Sequence, residues 1–516
     1  MTSGSENLWV VPEPKQRIRG MRSVRDAGIA SVEQKGSGIV RKIVFWSMLV
    51  VLTAGGEAGA QTDVGAVAED AASEPPTVIE VVLDVSPRGL PTPLFRYRLL
   101  PTTTELNPGD AAPVYLRLNQ QISPETVRDQ DVKAEALLAQ PFVSFAVAEG
   151  HQLIDPWSGR LRQVEFGTRR QGCHWDYTVL EEKDNPWSIL LPDAQAMRTW
   201  GRLLAVKARV EIALGRFEDA IRTLETGIAF GRHVAEGPFY INKLIGASIV
   251  GLMLNRADEL ISQPGAPNLY WAWTALPQPL VSIREATEVE RAAMGRAMTG
   301  QLLGEIDLDR PRSEVDWTTL LADLHARMIR MGALSGADPA PVATPDLASF
   351  RAAMLPKARE YLKAHQMTAT SDDQALVLAI IGLYRELADD HFKLAYVNYP
   401  DFEIQEAEVK KLQEAAKLGP ASDFARMLPN VRSAHLAEVR PGQKIAALRV
   451  VEAIRLHAIR HGGELPGSLD QIKGVPIPLD PASGRPFEYR REGATAILNA
   501  SPIAGSRLVY RVKIRG

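Results

Sequence analysis

The chain has 516 residues, 45% of them hydrophobic and 23% charged, ordinary values for a folded protein of about two to four domains. Its net charge is −3, and beyond residue 60 the balance is −6, so no basic field is present to attract phosphate backbones and nucleic acid is not an expected partner. Cys173 is the single cysteine, which excludes an intramolecular disulfide and a cysteine-built zinc site.

Residues 41–60 read RKIVFWSMLVVLTAGGEAGA. Arg41 and Lys42 precede an apolar run from Ile43 to Thr53, broken by Ser47, and Ala58-Gly59-Ala60 sets small residues at −3 and −1 before Gln61. That is the three-part pattern of a secretory signal peptide. It predicts export to the periplasm or cell envelope, with a signal peptide over 40–60 and cleavage after Ala60. The apolar run is about half of the ~20 residues a spanning helix needs, so a membrane becomes a partner only if the segment stays uncleaved. No cysteine follows to carry a lipid. The stretch upstream is polar and unpatterned, and Val40 stands where a GTG codon would give a later start.

After this N-terminal extension and signal (1–60), residues 61–76 are small, acidic and proline-containing, as in a linker. Residues 77–122 read as an extended or irregular segment, with TVIEVVLDV (77–85) and PLFRYRLL (93–100) strand-like. From Ser123 the apolar spacing follows the helical period, predicting a helical domain over 123–332. Its helices are expected at 193–213, 217–234, 239–262, 280–303 and 314–332. The centre of the third, Leu244 to Leu254, is apolar all round between Lys243 and Arg256, as in a buried helix, with Gly246, Ala247, Ser248 and Gly251 admitting close neighbours. A linker over 333–346 (ALSGADPAPVATPD) leads to a helical continuation over 347–440, with helices at 347–365, 372–397 and 402–417. Ser313-x-x-Asp316 and Ser371-x-x-Gln374 have the spacing of capping boxes. The last module, 441–516, reads as a helix to residue 461, then a small antiparallel sheet from 486–490, 494–498 and 507–514. The fold class expected is mainly α: an antiparallel, repeat-like helical body with a small C-terminal α+β module.

Over 201–234, Leu204, Ala208, Gly215, Phe217, Ala220, Leu224 and Gly227 occupy the large, small, turn, aromatic, small, large and small positions of a 34-residue helical repeat. The pair resembles a tetratricopeptide repeat, with Arg232 where the pattern has proline. A generic helical hairpin accounts for the same residues, since a single copy cannot bury its own faces. Arg202, Arg209 and Arg216 lie near it, either lining a binding surface or forming a solvated charged face.

Chemistry is sparsely marked. His457 and His461 share a helical face at a spacing that can hold zinc, without the glutamate of a zinc-protease motif. Glu386, Asp389, Asp390 and His391 bring carboxylates and imidazole together, and a solvated acidic face is the commoner reading. Asp307-x-Asp309 lacks the glycine and later glutamate of a calcium loop. Cys173-His174-Trp175-Asp176 puts a thiol beside an imidazole, but catalytic pairs meet in space rather than along the chain, and Trp175, Tyr177 and Trp187 point to an aromatic cluster. No phosphate loop, dinucleotide fingerprint or nucleophile elbow is present. No catalytic residue, metal or cofactor is therefore assigned.

Three stretches resemble a group of uncharacterised exported proteins of planctomycete bacteria: 98–118 (RLLPTTTELNPGDAAPVYLRL), 203–278 ending GAPNLYWAWTALPQ, and 441–490, above all LPGSLDQIKGVPIPLDPASGRPFEYR. The resemblance implies export and a helical body, and brings no activity with it. Gly463-Glu464-Leu465-Pro466 and Asp480 through Tyr489 also resemble the globular part of type II secretion pseudopilins, though no pilin-type N-terminal assembly helix is joined to them. The function expected is that of a non-enzymatic exported protein that binds a protein or peptide or organises the envelope. The alternative is an envelope hydrolase whose groups come from separate helices.

Overall fold

The structure, a computed structural model, describes residues 76–120, 122–175, 191–299, 308, 310–334, 346–415 and 428–515. The signal segment with its cleavage point, nearly all of both linkers, Asp176, Tyr177, Trp187, Asp307 and Asp309 lie outside the described residues.

The first strand, β1 (Thr77–Val85), alternates in the period of a sheet: Leu83 and Val85 point to the core while Val78 and Val82 face out. There follow β2 (Asn107–Asp110), α1 (Ala112–Leu116), α2 (Pro124–Ala139), α3 (Val147–Ile154), α4 (Ser158–Thr168) and β3 (Arg170–Gly172), the last pairing parallel to β2. Three long helices come next: α5 (Leu191–Ala213), α6 (Phe217–Ala235) and α7 (Tyr240–Ile261). They pack on one another, with α2 and α3 against α5 and α4 against α6.

The α5–α6 pair forms as its residue spacing predicts. Leu204, Ala208, Ala220 and Leu224 are buried, and Phe217 packs against the core. Gly215 has φ +70, its amide donating to the Ile212 carbonyl while the Arg216 amide donates to Glu211, both at 2.9 Å. These two bonds close the helix end in a geometry that glycine adopts without strain. A Cβ at Gly227 would lie 2.2 Å from Met253 Sδ of α7. Close approach of α6 and α7 also rests on Gly246, where a Cβ would meet the Gly231 carbonyl oxygen at 2.3 Å. Gly251 has nothing within 4 Å and plays no such part, and Ser248 is only half-buried. Lys243 and Arg256, which bracket the apolar centre of α7, are themselves buried.

The chain continues through α8 (Tyr270–Thr274), α9 (Arg284–Thr299), α10 (Glu314–Leu334), α11 (Leu347–Ala364), α12 (Asp372–Phe392) and α13 (Tyr399–Ala415). Ser313 and Asp316 make the reciprocal capping box at the start of α10, amide to side chain at 3.2 and 3.0 Å. At α12, Ser371 Oγ accepts from the Gln374 amide at 3.2 Å, but the Gln374 side chain reaches one residue further, to the Thr370 amide at 2.6 Å.

The helix predicted from residue 441 begins ten residues earlier, as α14 (Val431–Arg460), with Pro441 inside it. Asn430 caps it, its Oδ1 accepting from the Ser433 amide at 2.9 Å. Burial on both sides of Pro441 carries the helix past the hydrogen bond that proline cannot make. The strands β4 (Glu488–Glu492), β5 (Thr495–Asn499) and β6 (Ser506–Ile514) form the expected antiparallel run, but the sheet is mixed rather than wholly antiparallel. Its order is β1-β6-β5-β4, and β1 lies parallel to β6 from Thr77↔Ser506 to Val85↔Ile514. The segment read as extended thus contributes an edge strand to the C-terminal module.

The protein is mainly α with this small sheet beside α14. Its apolar residues form two large cores. One takes β1, α1–α8, the second half of α14 and the sheet; the other takes α9–α13, the first half of α14, Ala482 and Ile503. The apolar clusters change over near residue 282: α10 packs against α12, while α9 bridges the two cores, touching α12 and also α7, where Tyr240 bonds Thr287 and Glu290. Among the described residues no helix is long and apolar enough to cross a membrane.

Candidate functional site

The residues that the sequence offers for chemistry are held apart. Glu386 accepts from Tyr361 Oη at 2.7 Å and pairs with His365 Nε2 at 3.0 Å, Asp389 pairs with Arg291 at 2.7 Å, and Asp390 pairs with Lys393 at 2.5 Å. His391 Nε2 donates to the Pro429 carbonyl at 2.6 Å. Each of the four side chains serves a different packing contact. The rings of His457 and His461 stack face to face, centroids 3.9 Å apart and planes 14° apart, and His461 Nδ1 donates to the His457 carbonyl at 2.8 Å. Stacked rings do not aim two nitrogens at one point. Among the described residues no three His, Cys, Asp or Glu side chains gather as a metal set.

Cys173 and His174, neighbours in sequence, part at β3. His174 is exposed with its ring 3.8 Å from Asp110 Oδ2, while Cys173 is buried and its thiol is pushed well above its usual pKa by that burial, with Glu236 and Asp110 reinforcing it. A thiol so held stays protonated and is a poor nucleophile. Its surroundings are the aromatic cluster that Trp175 announces: Tyr115 and Trp175 stack at 6.2 Å, Tyr115 meets Phe230 edge-on at 4.9 Å, and Trp175 Nε1 donates to the His233 carbonyl at 2.7 Å. Burial, aided by Arg232, lowers the His233 pKa to about 4, and burial raises that of Tyr115. Tyr115 therefore keeps its proton, and its hydroxyl shares a hydrogen bond with Nδ1 of a neutral His233 at 2.8 Å.

An open cleft of about 320 Å³, lined by both polar and apolar groups, lies between the α3–α4 and α5–α6 hairpins. Leu161 and Leu204 supply its apolar lining. In its depth Lys207 Nζ donates to Glu211 Oε1 and to Thr223 Oγ1, both at 2.6 Å, and Thr223 donates on to Glu211 Oε2 at 2.6 Å. That triad gives each oxygen of the buried Glu211 a hydrogen bond and leaves Lys207 one donor to spare. His151 of α3 has its Nδ1 3.9 Å from the carboxylate of Asp155, just past the helix end. Arg162 and Glu165 come from α4, Arg216 from the α5–α6 turn and Arg222 from α6. Among the described residues no carboxylate lies within 4 Å of the Arg162, Arg216 or Arg222 guanidinium groups, and all three side chains are exposed.

Of the repeat-pair arginines, only Arg216 sits on a solvated face. Arg202 is buried against α2, with Asp131 at 2.5 Å and Glu135 at 3.6 Å. Arg209 is buried further, its guanidinium donating to the Leu137 and Gln140 carbonyls that α2 leaves open at its end, and pairing with Glu259 of α7 at 3.0 Å. A charged residue recurring on the otherwise apolar side of 193–213 is the signal that would have placed them. A second buried pair had no sequence reading at all: Arg455 and Glu452 of α14, fully buried and 2.8 Å apart, also bond Ser86, Ala266 and Pro267 carbonyls and the Leu269 amide. It ties the end of β1 and the α7–α8 loop to α14.

No protein-family model matches the chain, and no curated protein or solved structure shows a significant likeness to it.

Proposed function

We propose that this is an exported, non-enzymatic binding protein whose helical body holds a protein or peptide partner in the cleft between α3–α4 and α5–α6. The carrying observation is that cleft: an opening of about 320 Å³ whose rim presents polar side chains that the fold itself does not use. By contrast, the groups with the most reactive chemistry, Cys173, His233 and His391, are engaged in packing or hydrogen bonds elsewhere. Export rests on the signal-like segment Arg41–Ala60 and on the resemblance to exported planctomycete proteins.

Cross-linking the full chain in its own cell envelope and mapping the adducts tests both halves. Adducts on the partner joined to residues 151–226, from a protein whose N-terminus is Gln61, are the expected result. An intact N-terminus recovered from the cytosol removes export, and adducts confined to other surfaces remove the cleft.

A further inference from the structure

We propose that the partner segment held in this cleft is acidic: a peptide whose Asp or Glu side chains engage Arg162, Arg216 and Arg222. The inference rests on the binding reading above and adds the chemistry of the ligand. The charge inventory carries it. Within the cleft Lys207 is matched by Glu211, so that pair leaves no surplus, and His151 is counted neutral as in the net charge of the chain. What remains is three guanidinium groups against the two carboxylates of Asp155 and Glu165. On a chain that is acidic as a whole, a local excess of positive charge in a concave site focuses its field on an anion.

Guanidinium groups present paired donors that match a carboxylate's two oxygens, and a carboxylate held this way is bonded about twice as strongly as by neutral groups. The volume narrows the occupant further. About 320 Å³ is at the lower end of ligand-sized cavities, enough for side chains of an extended segment and too little for a folded domain. The apolar lining from Leu161 and Leu204 accepts the methylene stems of glutamate. Lys207 offers its spare donor to the deepest carboxylate.

Three fluorescent peptides of equal length read the preference on the full chain: one alternating Glu and Ala, one alternating Lys and Ala, one alternating Ser and Ala. The acidic peptide is expected to bind, and the other two to bind at least about tenfold more weakly. Raising salt from about 50 mM to about 500 mM should weaken it severalfold, as screening shortens. Arg216→Ser with Arg222→Ser, both exposed and free of carboxylate partners, should cost about tenfold in affinity with an unchanged melting temperature, and Arg162→Glu with Arg222→Glu should favour the lysine peptide. Equal binding of the serine peptide, cross-linked to the cleft, would overturn the acidic preference and leave the cleft as a peptide site. Binding of none of the three, with native partners cross-linked elsewhere, would overturn both.

Discussion

His233 shows what burial makes of a titration. Unfolded, a histidine titrates near 6.5; here burial, with Arg232 behind it, brings His233 to about 4. A depressed folded pKa means that the unfolded chain binds the proton first. The stabilisation is whole above about pH 6.5 and drains away as pH falls toward 4, by roughly 3 kcal/mol in all. His391 and His435, also lowered by burial, drift the same way, so absolute stability against pH does not isolate the residue. The difference does. His233→Asn keeps an acceptor for Tyr115 and cannot be protonated, so its stability deficit against wild type at pH 7 should shrink steadily by pH 4. Urea midpoints measured across that range check it, and a constant gap would mean that His233 is not held neutral. Arg202 and Arg209 teach a related point. They stand on the apolar side of their helix and both are buried, because carboxylates and helix-end carbonyls of α2, some 70 residues earlier, receive them. Pattern along the chain carries no record of such partners.

At the scale of elements, the α6–α7 contact depends on glycine at particular places and not on small residues in general. Gly246 faces backbone: an added Cβ would press on the Gly231 carbonyl oxygen at 2.3 Å and on Ala235 Cβ at 2.6 Å, so the helices must part. Overpacking of this kind costs about 1–3 kcal/mol, and Gly246→Ala should fall at the upper end, since no flexible side chain can yield. Gly251, five residues on in the same helix, has open space around its Cβ position. There Gly251→Ala should stabilise by up to about 1 kcal/mol through helix propensity alone. Chemical denaturation of the two variants should give shifts of opposite sign; shifts of the same sign would dismiss the close approach. The sequence marked both glycines alike, because spacing identifies a helix and its apolar centre without identifying which face a neighbour reaches. The same limit separates what was legible elsewhere. The turn at Gly215, the capping box at Ser313 and the strands β4–β6 are local patterns and were readable; the start of α14 was not, because Pro441 is a local stop signal overruled by burial on both sides. Of the candidate site, only Arg216 stood out along the chain. Arg162 and Arg222 join it through packing of α4 on α6, which no local spacing announces.

For the whole molecule the decisive connection is between its two described ends. Glu80 of β1 and Arg511 of β6 are 431 residues apart and form an ion pair across a parallel ladder, so the first strand stays unpaired until the last is made. β6 is central: it separates β1 from β5, it buries Tyr510 and Val512, and Tyr510 Oη donates to Asp258 of α7 at 2.9 Å. Removing it opens two ladders at once and exposes apolar β1, whose Val78 and Val82 already face solvent, as an unguarded edge. Ending the chain at Gly505 should therefore abolish the cooperative melting of the first core and drive association. A chain ending at Ile514 keeps every rung from Thr77 to Val85 and, among the described residues, loses the Arg515 amide bond to Val85, so it should melt within about 2 °C of the intact protein. The second core gives the experiment its internal reference. Its helices α9–α13 meet the sheet module at Ala482, Ile503 and Ala504, and they share α14 with the first core, Val431–Val439 lying in one and Ile445–Leu456 in the other. If α14 transmits the loss, limited proteolysis of the shorter chain should cut within α9–α13 as well as within α5–α7. Protection of α9–α13 at the wild-type level would show that the halves fold independently and that α14 is a tether rather than a shared beam.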